Sequence, residues 1–288
     1  MRYAFFGSPK FATLALKELI EGGLKPELIV CNPDRPAGRK KIITAPEIKQ
    51  YAQSLGLISI VRQPGNPSDE IFLQELRDKN LDIIVVAAYA KILPLELFDC
   101  AKLGAIGIHP SLLPALRGAS PIQGAILSGA KETGVSLYKM DEKMDHGPIL
   151  GFSEKIEIDG QSYGELLPKL AILGGQLALK ILPDFLEGKI QPQEQDHSAA
   201  TISGKFKSAD GEISEESLKK AMEDGSGAEE ILRKIKALGE EPGVWIQTAT
   251  GRIKLLDALI NNNKLDILRW QKEGQKEISS ANKKLSLV

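Results

Sequence analysis

The run Asp82–Ala88, DIIVVAA, constrains this chain more than any other stretch. It is continuous, apolar and rich in β-branched residues, the pattern of a parallel strand covered on both faces. Such a strand needs helices on either side, and the neighbouring sequence supplies them. Tyr3–Phe6 is a short apolar run ending at Gly7. Ser8-Pro9 fits an N-cap followed by proline at the first helical position, opening a helix through about Ile20. Leu28–Cys31 reads as a second strand and Pro46–Leu55 as a helix. Ser68–Asp78 reads as another helix, with Ile71, Leu73 and Leu76 towards the core. Ala105–His109 and Val135–Met140 complete the strands. This alternation predicts an α/β fold, a doubly wound, mostly parallel, Rossmann-like sheet whose ligands sit at the carboxyl ends of strands. The segment that follows His109 is therefore the place to look for a site.

The pattern changes past the middle of the chain. Ser162–Leu186 is apolar at helical spacing (Leu166, Leu167, Leu170, Leu173, Leu177), with Pro168 early in it or interrupting it. After Gly188 the sequence turns polar and loses any core periodicity. The expected organisation is a domain over 1–190, a linker over 191–204 and a small C-terminal domain over 205–288. In the last, Glu215–Met222 and Ala228–Leu238 read as helices. Val244–Thr248, Ile253–Leu256 and Leu265–Trp270 read as strands, with Trp245 and Trp270 as core.

Bulk properties exclude several classes. At 288 residues, two domains are favoured over one. No run of about 18 apolar residues suggests a membrane span, and the N-terminus lacks a signal-peptide pattern. The two cysteines, Cys31 and Cys100, make a disulfide framework improbable and a reducing cytosol the default, so a cytoplasmic protein is expected; a monomer is the expected state, although the sequence carries no signal of it. A net charge of −1 gives no overall attraction to nucleic acid, so any RNA contact must come from a local basic patch. Residues 205–288 carry 15 Lys/Arg against 14 Asp/Glu and are no such patch.

Chemistry-bearing residues concentrate between Gly107 and Leu150. His109 ends a predicted strand and is followed at once by Pro110 and Ser111, so its ring is displayed at the carboxyl edge. An ordinary imidazole titrates near ~6.5 and suits proton transfer at neutral pH. Asp145, in a Met-Asp-His-Gly turn after another strand, can approach it and favour its charged form. Each element also has a plain reading: a structural histidine, an ordinary turn, a proline-stiffened loop. Phe6-Gly7-Ser8-Pro9 has one glycine where a dinucleotide fingerprint needs three, and no Walker A sequence occurs. His109, His146, His197 and the cysteines lack metal-ligand spacing, so no metal is expected.

The stretch His109-Pro110-Ser111-Leu112-Leu113-Pro114, then Arg117-Gly118 and Pro121-Ile122-Gln123, resembles the signature of the folate-dependent formyltransferases. Glu132-Thr133-Gly134-Val135 and Met140-Asp141 with Asp145 and Gly147 continue it in order. Phe6-Gly7-Ser8-Pro9, Pro33-Asp34-Arg35-Pro36-Ala37-Gly38-Arg39, and Ala88-Tyr89 with Ile92-Leu93-Pro94 resemble the branch whose acceptor is initiator methionyl-tRNA. The likeness spans roughly residues 1–205. It implies formyl transfer from N10-formyltetrahydrofolate to the methionine α-amine, with His109 stabilising the oxyanion and moving the proton while Asp145 orients it. It also implies a folate pocket at Ser111, Leu112, Leu113, Pro114, Tyr89, Ile92, Leu93 and Asp141, and tRNA contacts at Arg35, Arg39, Lys40 and Lys41. The C-terminal domain is expected as a reduced oligonucleotide-binding-type barrel.

One position departs from the pattern. The family motif is Asn-x-His-x-Ser, and Gly107 stands where the asparagine would point alongside His109. Losing one oxyanion donor costs on the order of 10²–10³ in rate. A substitute donor, an impaired homologue that binds folate or tRNA, and an exchange introduced to trap substrate all fit the sequence. Amino-sugar N-formylation is the alternative reaction.

Overall fold

A computed structural model describes residues 1–38, 40–282 and 285, and these fall into two compact units. The first comprises 1–118, 133–156 and 167–202; the second comprises 119–132, 157–166 and 203–288.

In chain order the first part of the molecule reads β1 (Tyr3–Phe6), α1 (Lys10–Glu21), β2 (Leu28–Val30), β3 (Arg35–Ala37), β4 (Ile42–Thr44), α2 (Glu47–Ser54), β5 (Val61–Arg62), α3 (Glu70–Asp78), β6 (Ile83–Ala87), α4 (Leu95–Phe98) and β7 (Ala105–His109). It continues with α5 (Pro121–Leu127), β8 (Glu132–Thr133), β9 (Ser136–Lys139), β10 (Ile149–Phe152), β11 (Ile156–Glu157) and α6 (Tyr163–Leu186). Seven strands form one sheet in the order β10-β9-β7-β6-β1-β2-β5. The five strands from β7 to β5 run parallel, whereas β9 and β10 are antiparallel additions. Every residue of β1, β6 and β7 is buried, as the DIIVVAA pattern requires of a strand covered on both faces. The order in which strands are added switches sides between β1 and β6, the point at which a doubly wound sheet opens its crevice.

Local chemistry explains where the elements begin, and corrects two expectations. Helix α1 starts at Lys10 with Pro9, not Ser8, at the N-cap and no side-chain cap. The Ser8 hydroxyl is used elsewhere: it accepts the Asn32 N–H at 2.9 Å and ties the ends of β1 and β2 together. Helix α3 is capped by Asp69, whose carboxylate accepts the N–H groups of Ile71 and Phe72. That start turns Phe72, Leu73 and Leu76 inward and leaves Ile71 84% exposed, against the expectation that Ile71 is core. Helix α6 continues through Pro168 and Pro183. It is the one helix among the described residues long and apolar enough to cross a membrane, but 56% of that apolar window is buried within the protein. Gly174 lets it lie against β7: a Cβ there would sit 2.6 Å from Ile108 Cγ2. Both cysteines are buried and free.

The second unit holds α5, α7 (Glu215–Glu223), α8 (Ala228–Leu238) and the strands β12 (Val244–Thr248), β13 (Gly251–Asn261), β14 (Lys264–Lys272) and β15 (Ile278–Ser279). Helix α8 buries Ile231, Ile235 and Leu238 on one stripe. The strands form an antiparallel meander, and its tight β13–β14 turn puts Asn262 and Asn263 at positive φ, which asparagine tolerates. Trp245 and Trp270 are buried as expected. The sheet is open among the described residues, with β12 and β15 as edges, whereas a barrel requires its first and last strands to pair.

Candidate active site

Strand β7 delivers Gly107 and His109 to one face, because residues two apart in a strand point the same way. Their antiparallel partners on β9 are Tyr138 and Ser136. The His109 ring is 6% exposed. Its Nε2 lies 2.9 Å from the Leu116 carbonyl, and since a carbonyl only accepts, Nε2 carries the proton. Its Nδ1 faces Asp145 Oδ2 at 3.6 Å, close enough for charge attraction and too long for a hydrogen bond.

Asp145 adopts a left-handed backbone (φ 51°) and turns its carboxylate inward. Oδ2 accepts the Gly118 N–H at 2.6 Å, and Oδ1 accepts the Tyr138 hydroxyl at 2.7 Å. Burial, followed by the Asp145 charge, pushes the Tyr138 phenol well above its ordinary range, so it stays protonated and donates. The Tyr138 ring meets that of His109 edge to face, with centroids 6.5 Å apart. It also fills the space beside Gly107. A Cβ at 107 would lie 2.5 Å from Tyr138 Cζ and 2.7 Å from its hydroxyl oxygen.

The loop after β7 is stitched down by serines. Ser111 donates to the Ala115 carbonyl at 2.6 Å. The Ser136 hydroxyl donates to the Ser111 carbonyl at 2.6 Å and accepts the Leu113 N–H at 2.9 Å. Ser111 and Leu113 are thereby buried, with Leu112 and Pro114 half-buried between and beside them. Part of the segment 191–204, read from composition as linker, contributes directly. Buried Gln195 donates to the carbonyls of Asp145 (3.0 Å) and Gly147 (2.7 Å) and accepts from Arg117. Asp141 pairs with His146 at 2.7 Å, and His146 stacks on His197 with centroids 4.0 Å apart.

The remaining predicted residues lie elsewhere in the unit. Tyr89 and Leu93 pack on the cluster built from β1, β2 and β6, and Tyr138 and Leu113 form a second cluster; Met140 touches both. The Tyr89 hydroxyl is buried without a hydrogen-bond partner among the described residues, and burial raises it to about 12. Ile92 is 92% exposed. Arg35, Lys40 and Lys41 are exposed on the β3–β4 hairpin, whose base is fixed by the Asp34–Lys49 pair at 2.9 Å; Arg39 lies outside the described residues. Among the described residues no group of His, Cys, Asp and Glu could hold a metal ion. Sequence reasoning missed Tyr138, Ser136, Leu116 and Gln195. Tyr138 and Ser136 reach the site across strands and Gln195 from a distant segment, where local spacing carries no signal; Leu116, seven residues past His109, acts through its carbonyl, which side-chain identity does not reveal.

Residues 1–177 match the family described as Formyl transferase. The chain belongs to the formyl transferase family. Within it, the chain is 38% identical to the methionyl-tRNA formyltransferase of Campylobacter curvus, over 95% of this chain and 86% of that protein. It is 36% identical to the enzyme of that name from Lachnospira eligens, over 91% and 80% respectively. Its fold matches methionyl-tRNA formyltransferase from Clostridium thermocellum (TM-score 0.59, 21% identity, 92% and 96% covered). It also matches a 4-N formyltransferase from Francisella tularensis (TM-score 0.63, 19% identity, 87% and 93% covered). For a formyl transferase, a buried imidazole backed by a carboxylate is a suitable source of positive charge and of a movable proton.

Proposed function

We propose that this chain transfers the formyl group of N10-formyltetrahydrofolate to the α-amine of methionine on initiator methionyl-tRNA. The observation that carries this reading is the His109–Asp145 arrangement within a chain so like the Campylobacter curvus enzyme along nearly all its length. The amine attacks the formyl carbon, a tetrahedral oxyanion forms, and collapse breaks the bond to N10. The proton lost by the amine arrives on N10, so no covalent enzyme intermediate is required. His109 Nε2–H is the donor for the oxyanion, in the direction that the Leu116 carbonyl takes at rest. The Asp145 carboxylate faces that ring at 3.6 Å, and a buried setting strengthens its attraction for a proton passing through the imidazole.

Ser111–Pro114, Tyr89, Ile92, Leu93 and Asp141 are assigned to the folate co-substrate. The unpartnered Tyr89 hydroxyl supports this, since a buried polar atom without a partner is costly unless a ligand completes it. Arg35, Arg39, Lys40 and Lys41 are assigned to tRNA phosphates, on the exposure of the hairpin that bears three of them. The test is single-turnover formylation of initiator methionyl-tRNA with the purified chain and N10-formyltetrahydrofolate. Formyl-methionyl product is expected, and with His109→Ala it should form on the order of 10³ more slowly. Tight tRNA binding with no product from the unaltered chain would reduce the protein to a binding homologue.

A further inference from the structure

The direct cross-strand pair Gly107–Tyr138 has a feature that packing alone does not require. Phenylalanine would fill the same space against Leu113 and Ile149. Tyrosine adds a hydroxyl that must find a partner when buried, and here that partner is the carboxylate facing His109. The hydroxyl sits 2.7 Å from where a Cβ on residue 107 would be, so any side chain at 107 displaces it.

We propose that Tyr138 is a positioning residue for formyl transfer, fixing the Asp145 carboxylate towards His109, and that residue 107 is glycine because Tyr138 needs its space. This rests on the formyl-transfer reading above. The carboxylate has two fastenings besides its attraction to the ring: the Gly118 N–H on Oδ2 and the Tyr138 hydroxyl on Oδ1. Either one alone leaves it free to rotate about the other. Together they hold Oδ2 opposite Nδ1, at the end of the imidazole away from the Leu116 carbonyl. The groups that bear on this phenol are Asp145 and, more weakly, Asp141; both are acids and both favour its protonated form. The same phenol gives Gly107 a different meaning from a lost donor: the glycine belongs to a two-residue exchange across β7 and β9.

The test is a double-mutant cycle of Tyr138→Phe and Gly107→Ala, read by single-turnover formylation against pH, with KM for both substrates. Tyr138→Phe is expected to lower kcat on the order of 10-fold, the range for a lost hydrogen bond to a charged group. KM should hold, and the alkaline limb of the pH–rate profile, where the imidazolium gives up its proton, should move upward, because an unshared carboxylate attracts the imidazolium more strongly. Gly107→Ala should lose at least as much, and the double variant should lose no more than Gly107→Ala alone. A Tyr138→Phe enzyme with unaltered kcat and pH profile, or losses that multiply in the double variant, would overturn the proposal. An activity-free measurement separates this from the functional reading. The Tyr138 hydroxyl proton should be visible by NMR in slow exchange and should shift in both Asp145→Asn and Gly107→Ala. If the unaltered chain forms no product but the resonance responds in both variants, the formyl-transfer reading fails and the Gly107–Tyr138–Asp145 pairing stands. A resonance indifferent to either substitution overturns the pairing itself.

Discussion

The floor around His109 and the β3–β4 hairpin belong to the same unit and solve opposite problems. On the floor the polar side chains of His109, Asp145, Tyr138, Ser111 and Ser136 are buried or nearly so, and each has a named partner. On the hairpin, Arg35, Lys40 and Lys41 are exposed, make no ion pair with a described carboxylate, and share their surface with exposed Ile42 and Ile43. A buried polar network fixes geometry to fractions of an ångström and makes any missing partner costly. An exposed cationic strand supplies attraction that salt screens, and it tolerates movement. The contrast divides labour: chemistry should depend on the floor and acceptor affinity on the hairpin.

Substitutions should break the two regions differently. The largest effect is expected from His109→Ala, a fall in single-turnover rate on the order of 10³ with little change in tRNA affinity by filter binding. A comparable loss of affinity would erase the division. Gly107→Asn comes next. It restores the family motif in letters but drives a side chain into Tyr138, so the expected outcome is a destabilisation of about 1–3 kcal/mol in urea unfolding, together with lost activity. On the hairpin, the combined change Arg35→Ala, Lys40→Ala and Lys41→Ala should raise KM for the tRNA about 10-fold. It should also flatten the dependence of binding on salt while leaving kcat at saturation intact.

The buried phenols make a pH prediction. Burial raises the pKa of Tyr3 as well as of Tyr138, so both folded-state values lie above the unfolded one. Their contribution is fully present below the unfolded value near ~10 and is lost as pH rises beyond it, by about 1.4 kcal/mol per pH unit per phenol. Urea midpoints measured upward from pH 9 should fall, and Tyr138→Phe should lessen the slope. The smallest effect is expected from Ile71→Gln, which alters an exposed side chain and should leave stability within about 0.5 kcal/mol.

Which features could be read from the sequence follows the same buried–exposed divide. Strand β7 and helix α8 occupy the residues anticipated for them, because a continuous apolar run and an apolar stripe at helical spacing each impose one local answer. His109 and Asp145 could be found because a strand end and a turn display them. Ile71 could not be placed from hydrophobicity alone. Asp69 decides where α3 starts, and a one-residue change of start rotates the inward face by about 100°. The short helix α5 carries too few turns for a period to show. The role of Tyr138 is invisible locally, since its meaning comes from the register that sets it opposite Gly107. An unusual glycine beside a catalytic candidate was legible; what fills its space was not.

Gln195 has a consequence for anyone who trims this chain. A fragment ended at residue 190, where the composition turns polar, would retain every strand of the seven-stranded sheet and all of α6. It would forfeit the amide that clips the Asp145 and Gly147 carbonyls to Arg117. Such a fragment could pass every spectroscopic test of folding and still hold its carboxylate loosely. A piece of the first unit that keeps this clip must extend at least to Gln195, and the stretch that looks like filler works as a splint.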